Sequence, residues 1–173
     1  MITDNTCRKF SITVVIVGIT VALISSIGKV RYHVNEGNGL ILITGCSSGI
    51  GRYLCEQLAY ENPTFDVACT VRKERDLEML MSDLSELSNI HVRILDITSD
   101  EQVNDISKWV DTFEKPFVGL INNAGKSEAT SPIELMDLLE MQLTFEVNVF
   151  GTVKLTKSLL PHLRHSRGRV INV

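Results

Sequence analysis

Between Thr44 and Gly51 the chain reads Thr-Gly-Cys-Ser-Ser-Gly-Ile-Gly. Gly45 lets the backbone turn, Gly49 and Gly51 carry no Cβ, and Ser47 and Ser48 add hydroxyls. Such a run offers converging N–H and O–H donors to an anion. A diphosphate bridge is the ligand it suits when a buried strand leads in and a helix leads out. Both flanks are present. Leu40-Ile41-Leu42-Ile43 is the continuous apolar run of a strand buried in a parallel sheet. Arg52 to Tyr60 puts Leu54, Leu58 and Ala59 on one side of a helix. Strand, glycine turn and helix together predict a dinucleotide site, with Ile50 inside the loop that grips it.

The remaining elements supply the rest of such a site. Phe65 to Val71 reads as a second strand and is followed by Arg72-Lys73-Glu74-Arg75. A Rossmann site reads the adenosine ribose about 20 positions after the glycines, with an acid for NAD and often an arginine for the 2′-phosphate of NADP. No acid stands at the end of this strand, and Arg72 does. NADP is therefore expected as cofactor, with NAD the alternative; a solvated charge cluster opening a helix is the competing reading of Arg72. Helical spacing over 77–87 and 99–112 brackets a third strand over 91–98, which carries Asp96 towards its carboxyl end. A capping or turn role competes for that aspartate, with Thr98 and Ser99 as rival caps. A fourth strand from Pro116 runs into Asn122-Asn123-Ala124-Gly125. One or two helices follow over 135–163, with Phe145, Val149, Val153, Leu155, Leu159 and Leu160 as packing residues. Asn148, unfavourable inside a helix by propensity, has either a specific polar job or a helix-packing one. Gly168 to Val173 forms a fifth strand. The expected fold is α/β, a partial doubly wound parallel sheet of about five strands.

The spacing Thr-Gly-x-x-x-Gly-x-Gly, the Asp96-Ile97-Thr98 element, Asn122-Asn123-Ala124-Gly125 and Asn148-Val149-Phe150-Gly151 together resemble the short-chain dehydrogenase/reductase family. The resemblance covers roughly residues 38–173 and is nearest in wording to the hydroxysteroid and retinol dehydrogenases. It implies that Asp96, with Ile97 beside it, accepts a hydrogen bond from the adenine amino group. It also implies that Asn122 ties the central sheet, that Ala124 and Gly125 leave room for a ribose, and that Asn148 holds a water relaying protons to an active-site lysine. Asn148 is the one catalytic position that carries over. The family's serine and its Tyr-x-x-x-Lys, whose lysine lowers the tyrosine's pKa, have no counterpart. Tyr32, Tyr53 and Tyr60 lie before or inside the first helix, and none has a lysine four residues on.

The activity implied is interconversion of an alcohol and a ketone or aldehyde on a small lipophilic substrate of the steroid or retinoid class. The family's strand order, 3-2-1-4-5-6-7, implies that the fifth strand here is an uncapped edge. The chain is thus expected to be a fragment or short isoform without dehydrogenase turnover; measurable oxidation of a secondary alcohol would contradict this. A non-catalytic nucleotide-binding or dimerising role is the alternative, with a homodimer formed through the helix around Asn148. A membrane-tethered structural domain with an unused glycine loop is a third.

Phe10 to Gly28 contains no charged residue. As a helix it reaches about 28 Å, close to the roughly 30 Å hydrocarbon core of a bilayer. The division expected is a tail over 1–9, a transmembrane anchor over 10–28, a linker over 29–38 and the nucleotide domain over 39–173. A cleaved secretory signal is the rival to an anchor. A single-pass membrane location is implied, in the endoplasmic reticulum by the resemblance. Basic residues at both ends of the span leave its orientation open.

A net charge of −4 gives no basic excess, so nucleic acid is not an expected partner. Cys46, Cys55 and Cys69 are expected as reduced, buried thiols without metal spacing. His162 and His165 are expected as a solvated pair near a helix end.

Overall fold

The structure, a computed structural model, describes residues 38–127 and 132–173. The expected tail, anchor and nearly all of the linker lie outside the described residues. Among the described residues no helix is long and apolar enough to cross a membrane.

Five strands form one parallel sheet: β1 (Gly39–Ile43), β2 (Phe65–Val71), β3 (Ile90–Ile94), β4 (Phe117–Asn122) and β5 (Arg169–Asn172). Their order is β3-β2-β1-β4-β5, with β1 at the centre. Every pairing is parallel, and Ile43 lies beside both Cys69 of β2 and Ile121 of β4. The helices α1 (Gly49–Glu61), α2 (Glu74–Asp83), α3 (Asp100–Val110), α4 (Leu138–Phe145) and α5 (Thr152–Ser166) make the crossovers and the outer layers.

Period-two alternation along the strands sends side chains to two separate cores. Leu40 and Leu42 of β1 join Ala68, Leu120 and Phe117 against Val103 and Ile106 of α3 and Leu155, Leu159 and Leu163 of α5. Ile43 faces the other way, with Val67, Cys69 and Val71 of β2, and meets Cys55 and Ala59 of α1 and Leu80 of α2. A sheet covered on both faces explains why β1 reads as an unbroken apolar run rather than an alternating one.

Several boundaries differ from the sequence expectation; the helix expected over 77–87 runs from Glu74 to Asp83. β3 ends at Ile94 because the chain then turns through Asp96, whose Oδ1 accepts bonds from Thr98 N (2.9 Å) and Thr98 Oγ1 (2.6 Å). Of the two candidate caps, Ser99 takes the role for α3, accepting from Gln102 N. The long segment after Pro132 is broken into a 3-10 turn (Ile133–Leu135), α4, a π-helical stretch (Glu146–Gly151) and α5. Within it Leu155 and Leu159 are buried as expected, but Phe145 (50 % exposed), Val149 (41 %) and Val153 (60 %) are not. They point away from the sheet, and the spacing that suggested packing belongs to an outward face.

The cysteines also differ. Cys55 and Cys69 are joined as a disulfide between α1 and β2, and Cys46 is free and buried. Sequence separation alone gave no sign of this, because α1 and β2 meet only through the crossover.

Candidate dinucleotide site

At the carboxyl ends of the strands, where open α/β sheets bind ligands, lies a cleft of about 450 Å³. It is lined by Gly45, Ser47, Ser48 and Ile50 after β1, by Val71, Arg72, Lys73 and Asp76 at the end of β2, by Leu95, Asp96 and Ile97 after β3, and by Asn123 to Lys126 after β4, together with Val147. Most of the residues singled out in the sequence therefore converge here. Thr44, Gly49, Gly51, Asn122 and Asn148 do not line it; they shape it.

The loop after β1 owes its shape to two positive φ angles, +73° at Gly45 and +61° at Gly49. A side chain at Gly45 would also collide with the Ala124 backbone, whereas one at Gly49 would meet nothing. Gly51 is needed for a different reason: a Cβ there would overlap the Gly45 carbonyl and the Asn123 amide. The Ser48 side chain does not cap α1, and no acidic residue stands in that helix's first turn. Its leading N–H groups and the positive end of its dipole thus face the cleft without internal competition.

Thr44 fastens this loop to β4. It is buried, and its Oγ1 accepts from the backbone N–H of Asn123 (3.0 Å) and Ala124 (2.9 Å). Asn123, which the sequence reading passed over as the second amide of a pair, returns the contact. Its Nδ2 donates to the carbonyls of Thr44 (2.9 Å) and Gly45 (3.1 Å). Asn122 points elsewhere: its Nδ2 donates to Thr156 Oγ1 and Asn172 Oδ1, joining β4 to α5 and β5. Asn148 sits in the π-helical stretch, a distortion frequent at functional sites. Its amide makes a two-bond clamp on Lys126, accepting from the N–H (2.8 Å) and donating to the carbonyl (2.9 Å). Gly151 follows for a steric reason, since a Cβ there would press on Ile97 at the cleft wall.

Burial pushes the Asp96 carboxyl up, but the two Thr98 donors and the Arg72 and Lys154 cations outweigh it and hold it below the ordinary 3.8. Its contribution to stability is therefore present above the unfolded-chain value and lost as pH falls through the lower folded one. Asp96→Asn should melt below wild type at neutral pH, and the two melting temperatures should converge in acid. A gap that persists in acid would mean the carboxylate charge is not what holds the turn.

A second cavity of about 550 Å³ opens at the other end of β4, beside Phe113, Lys115, Pro116 and His162. His162 is half-buried rather than solvated: one ring nitrogen meets Ser107 Oγ (3.1 Å) and the other Asp111 Oδ1 (3.1 Å). It clamps α3 to α5. His165 is exposed, as expected.

The profile of the short chain dehydrogenase family matches residues 39–173, from the first residue of β1 to the end of the chain. The chain belongs to the short-chain dehydrogenase family. Retinol dehydrogenase 5 of Mus musculus is 35 % identical over 146 residues, spanning 83 % of this chain and 44 % of that protein. Retinol dehydrogenase 16 of Homo sapiens is 37 % identical over 135 residues, 77 % of this chain and 41 % of its own length. The chain thus spans less than half the length of these relatives. Among solved structures, a short chain dehydrogenase from Shigella flexneri 2a str. 301, complexed with NADP, superposes with a TM-score of 0.69 at 26 % identity, covering 79 % of this chain and 58 % of that one. The family's members are oxidoreductases that use NAD(P), and the cleft at the carboxyl ends of β1, β2 and β4 lies where a dinucleotide binds in this fold.

Proposed function

We propose that this chain is the dinucleotide-holding part of an NADP(H)-dependent oxidoreductase that interconverts an alcohol and a carbonyl on a lipophilic substrate of retinoid or steroid class. The observation that carries the cofactor half of this reading is the cleft itself. Glycine-loop residues and the uncapped start of α1 border it together with Arg72 and Lys73 from the end of β2. When bound, the nicotinamide supplies or accepts the hydride. The chain's own residues hold and orient: Gly45 to Gly51 take the diphosphate, and Arg72 takes a 2′-phosphate. Asp96 and Ile97 border the adenine, and Ala124 and Gly125 leave room for a ribose. The Asn148 clamp on Lys126 fixes the wall beside Gly125 and would present the position from which a proton relay runs. The substrate class is supported by the two retinol dehydrogenase relatives and by the apolar stretch 10–28, which also supports a membrane anchor in the endoplasmic reticulum.

Arg72→Ala should weaken NADP⁺ binding by about tenfold or more, the loss of one charge-assisted phosphate contact. NAD⁺ binding should not change. Calorimetric titration of both nucleotides into wild type and variant decides this; equal losses for both, or tighter NAD⁺ than NADP⁺ binding to wild type, would overturn the NADP assignment.

One observation favours a second role. Leu138, Leu139, Phe145, Val149, Phe150 and Val153, spread over α4, the π-helical stretch and α5, are each 41–72 % exposed. So apolar a surface suits pairing with another copy of the domain, and concentration-dependent sedimentation would detect it.

A further inference from the structure

Three sulfur atoms lie directly beneath the glycine loop. Cys46, Cys55 and Cys69 are fully buried, and their Sγ atoms all fall within 4.8 Å of one another. Cys46 stands between Gly45 and Ser47, which line the cleft; Cys55 belongs to α1, whose first turn is the loop's end. Cys69 lies in β2 shortly before Val71 and Arg72, which also line the cleft. The Cys55–Cys69 bond is thus a covalent tie between α1 and β2, the two elements that bring the glycine loop and Arg72 to the cleft. Otherwise α1 and β2 meet in the apolar core that Ala59 shares with Val67 and Val71.

We propose that the Cys55–Cys69 disulfide is a redox-controlled brace of the dinucleotide cleft, a regulation of that site which rests on the nucleotide reading above. Closed, it fixes the start of α1 relative to the carboxyl end of β2. A dithiol reductant opens it: the Sγ–Sγ bond breaks, two electrons pass from the dithiol to the pair, and Cys55 and Cys69 each take up a proton. The dithiol leaves as its own disulfide. Unbonded sulfurs cannot remain at covalent distance, so reduction forces α1 and β2 apart at a point of close packing. The shift runs along α1 to Gly51, which has no clearance against Gly45 and Asn123.

Cys46 keeps the pairing unique although it lies close enough to exchange. Burial pushes its thiol up to about 12, so at neutral pH the attacking thiolate is scarce. Because the pair is buried, a reductant reaches it only when α1 opens from the sheet. A nucleotide fastened to the start of α1 opposes that opening, so cofactor binding and oxidation support each other reciprocally.

The test uses the whole 173-residue chain, oxidised in air or reduced with dithiothreitol, with hydrogen exchange read at residues 45–52 and NADP⁺ titrated by calorimetry. Reduction should speed exchange at those amides and weaken NADP⁺ binding, each by about tenfold. Cys69→Ala should behave like the reduced form and no longer respond to dithiothreitol. Unchanged exchange and equal affinity in the two redox states would overturn the brace, as would free Cys55 and Cys69 thiols in peptide maps of the oxidised chain. Absence of NADP⁺ binding in both forms would sink the nucleotide reading instead, and the exchange comparison would still decide whether the disulfide holds the loop.

Discussion

Gly51→Ala is expected to destabilise the fold by about 3 kcal/mol and to eliminate nucleotide binding, because its methyl group has nowhere to go. The added carbon would overlap the Gly45 carbonyl and the Asn123 amide, both part of the tie between the loop and β4. Backbone cannot rotate aside as a flexible side-chain tip can. Gly49→Ala makes the matched control. Its methyl meets nothing within 4 Å, and its φ of +61° exacts only the left-handed penalty of about 1–2 kcal/mol. Urea denaturation of the two variants should therefore separate them clearly, with Gly51→Ala the worse. Equal midpoints would mean that the loop does not pack against β4 as described.

Thr44→Val should produce the second large loss, about 2–4 kcal/mol, with Thr44→Ser restoring most of it. Valine matches threonine in shape, so the change isolates the oxygen. That oxygen, on a side chain only 1 % exposed, accepts from two backbone N–H groups of β4's continuation. Without it both donors are stranded beside the cleft, and Ala124 loses the contact that sets the cleft wall. Thermal melts of the three proteins check this; a valine variant as stable as wild type would show that the two N–H groups find other partners.

These two residues also mark how far the sequence could be read. Gly45, Gly49 and Gly51 announced a turn at an anion site through their spacing, and the apolar run before them announced a strand buried on both faces. What spacing could not separate was the reason for each glycine. Gly49 is there for its φ, Gly51 for its lack of bulk and Gly45 for both, distinctions that depend on where β4 lies. Asn123 was missed for the same cause: Asn-Asn after a strand reads as turn chemistry. Only the parallel pairing of β1 with β4 brings its amide under the loop. The disulfide was illegible because Cys55 and Cys69 meet through packing of a crossover helix on the sheet. Phe145, Val149 and Val153 misled because helical periodicity reports an apolar face without saying what covers it.

The central claim is that the loop after β1, the end of β2 and the turn after β4 form one dinucleotide site. Titrating NADP⁺ into the isotopically labelled chain and following backbone amide resonances tests it most directly. Saturable changes should cluster at residues 45–51, at Arg72, at Asp96 and Ile97, and at Ala124 and Gly125. Resonances unmoved at saturating nucleotide, or moved instead around Phe113 and His162 at the far cavity, would contradict it.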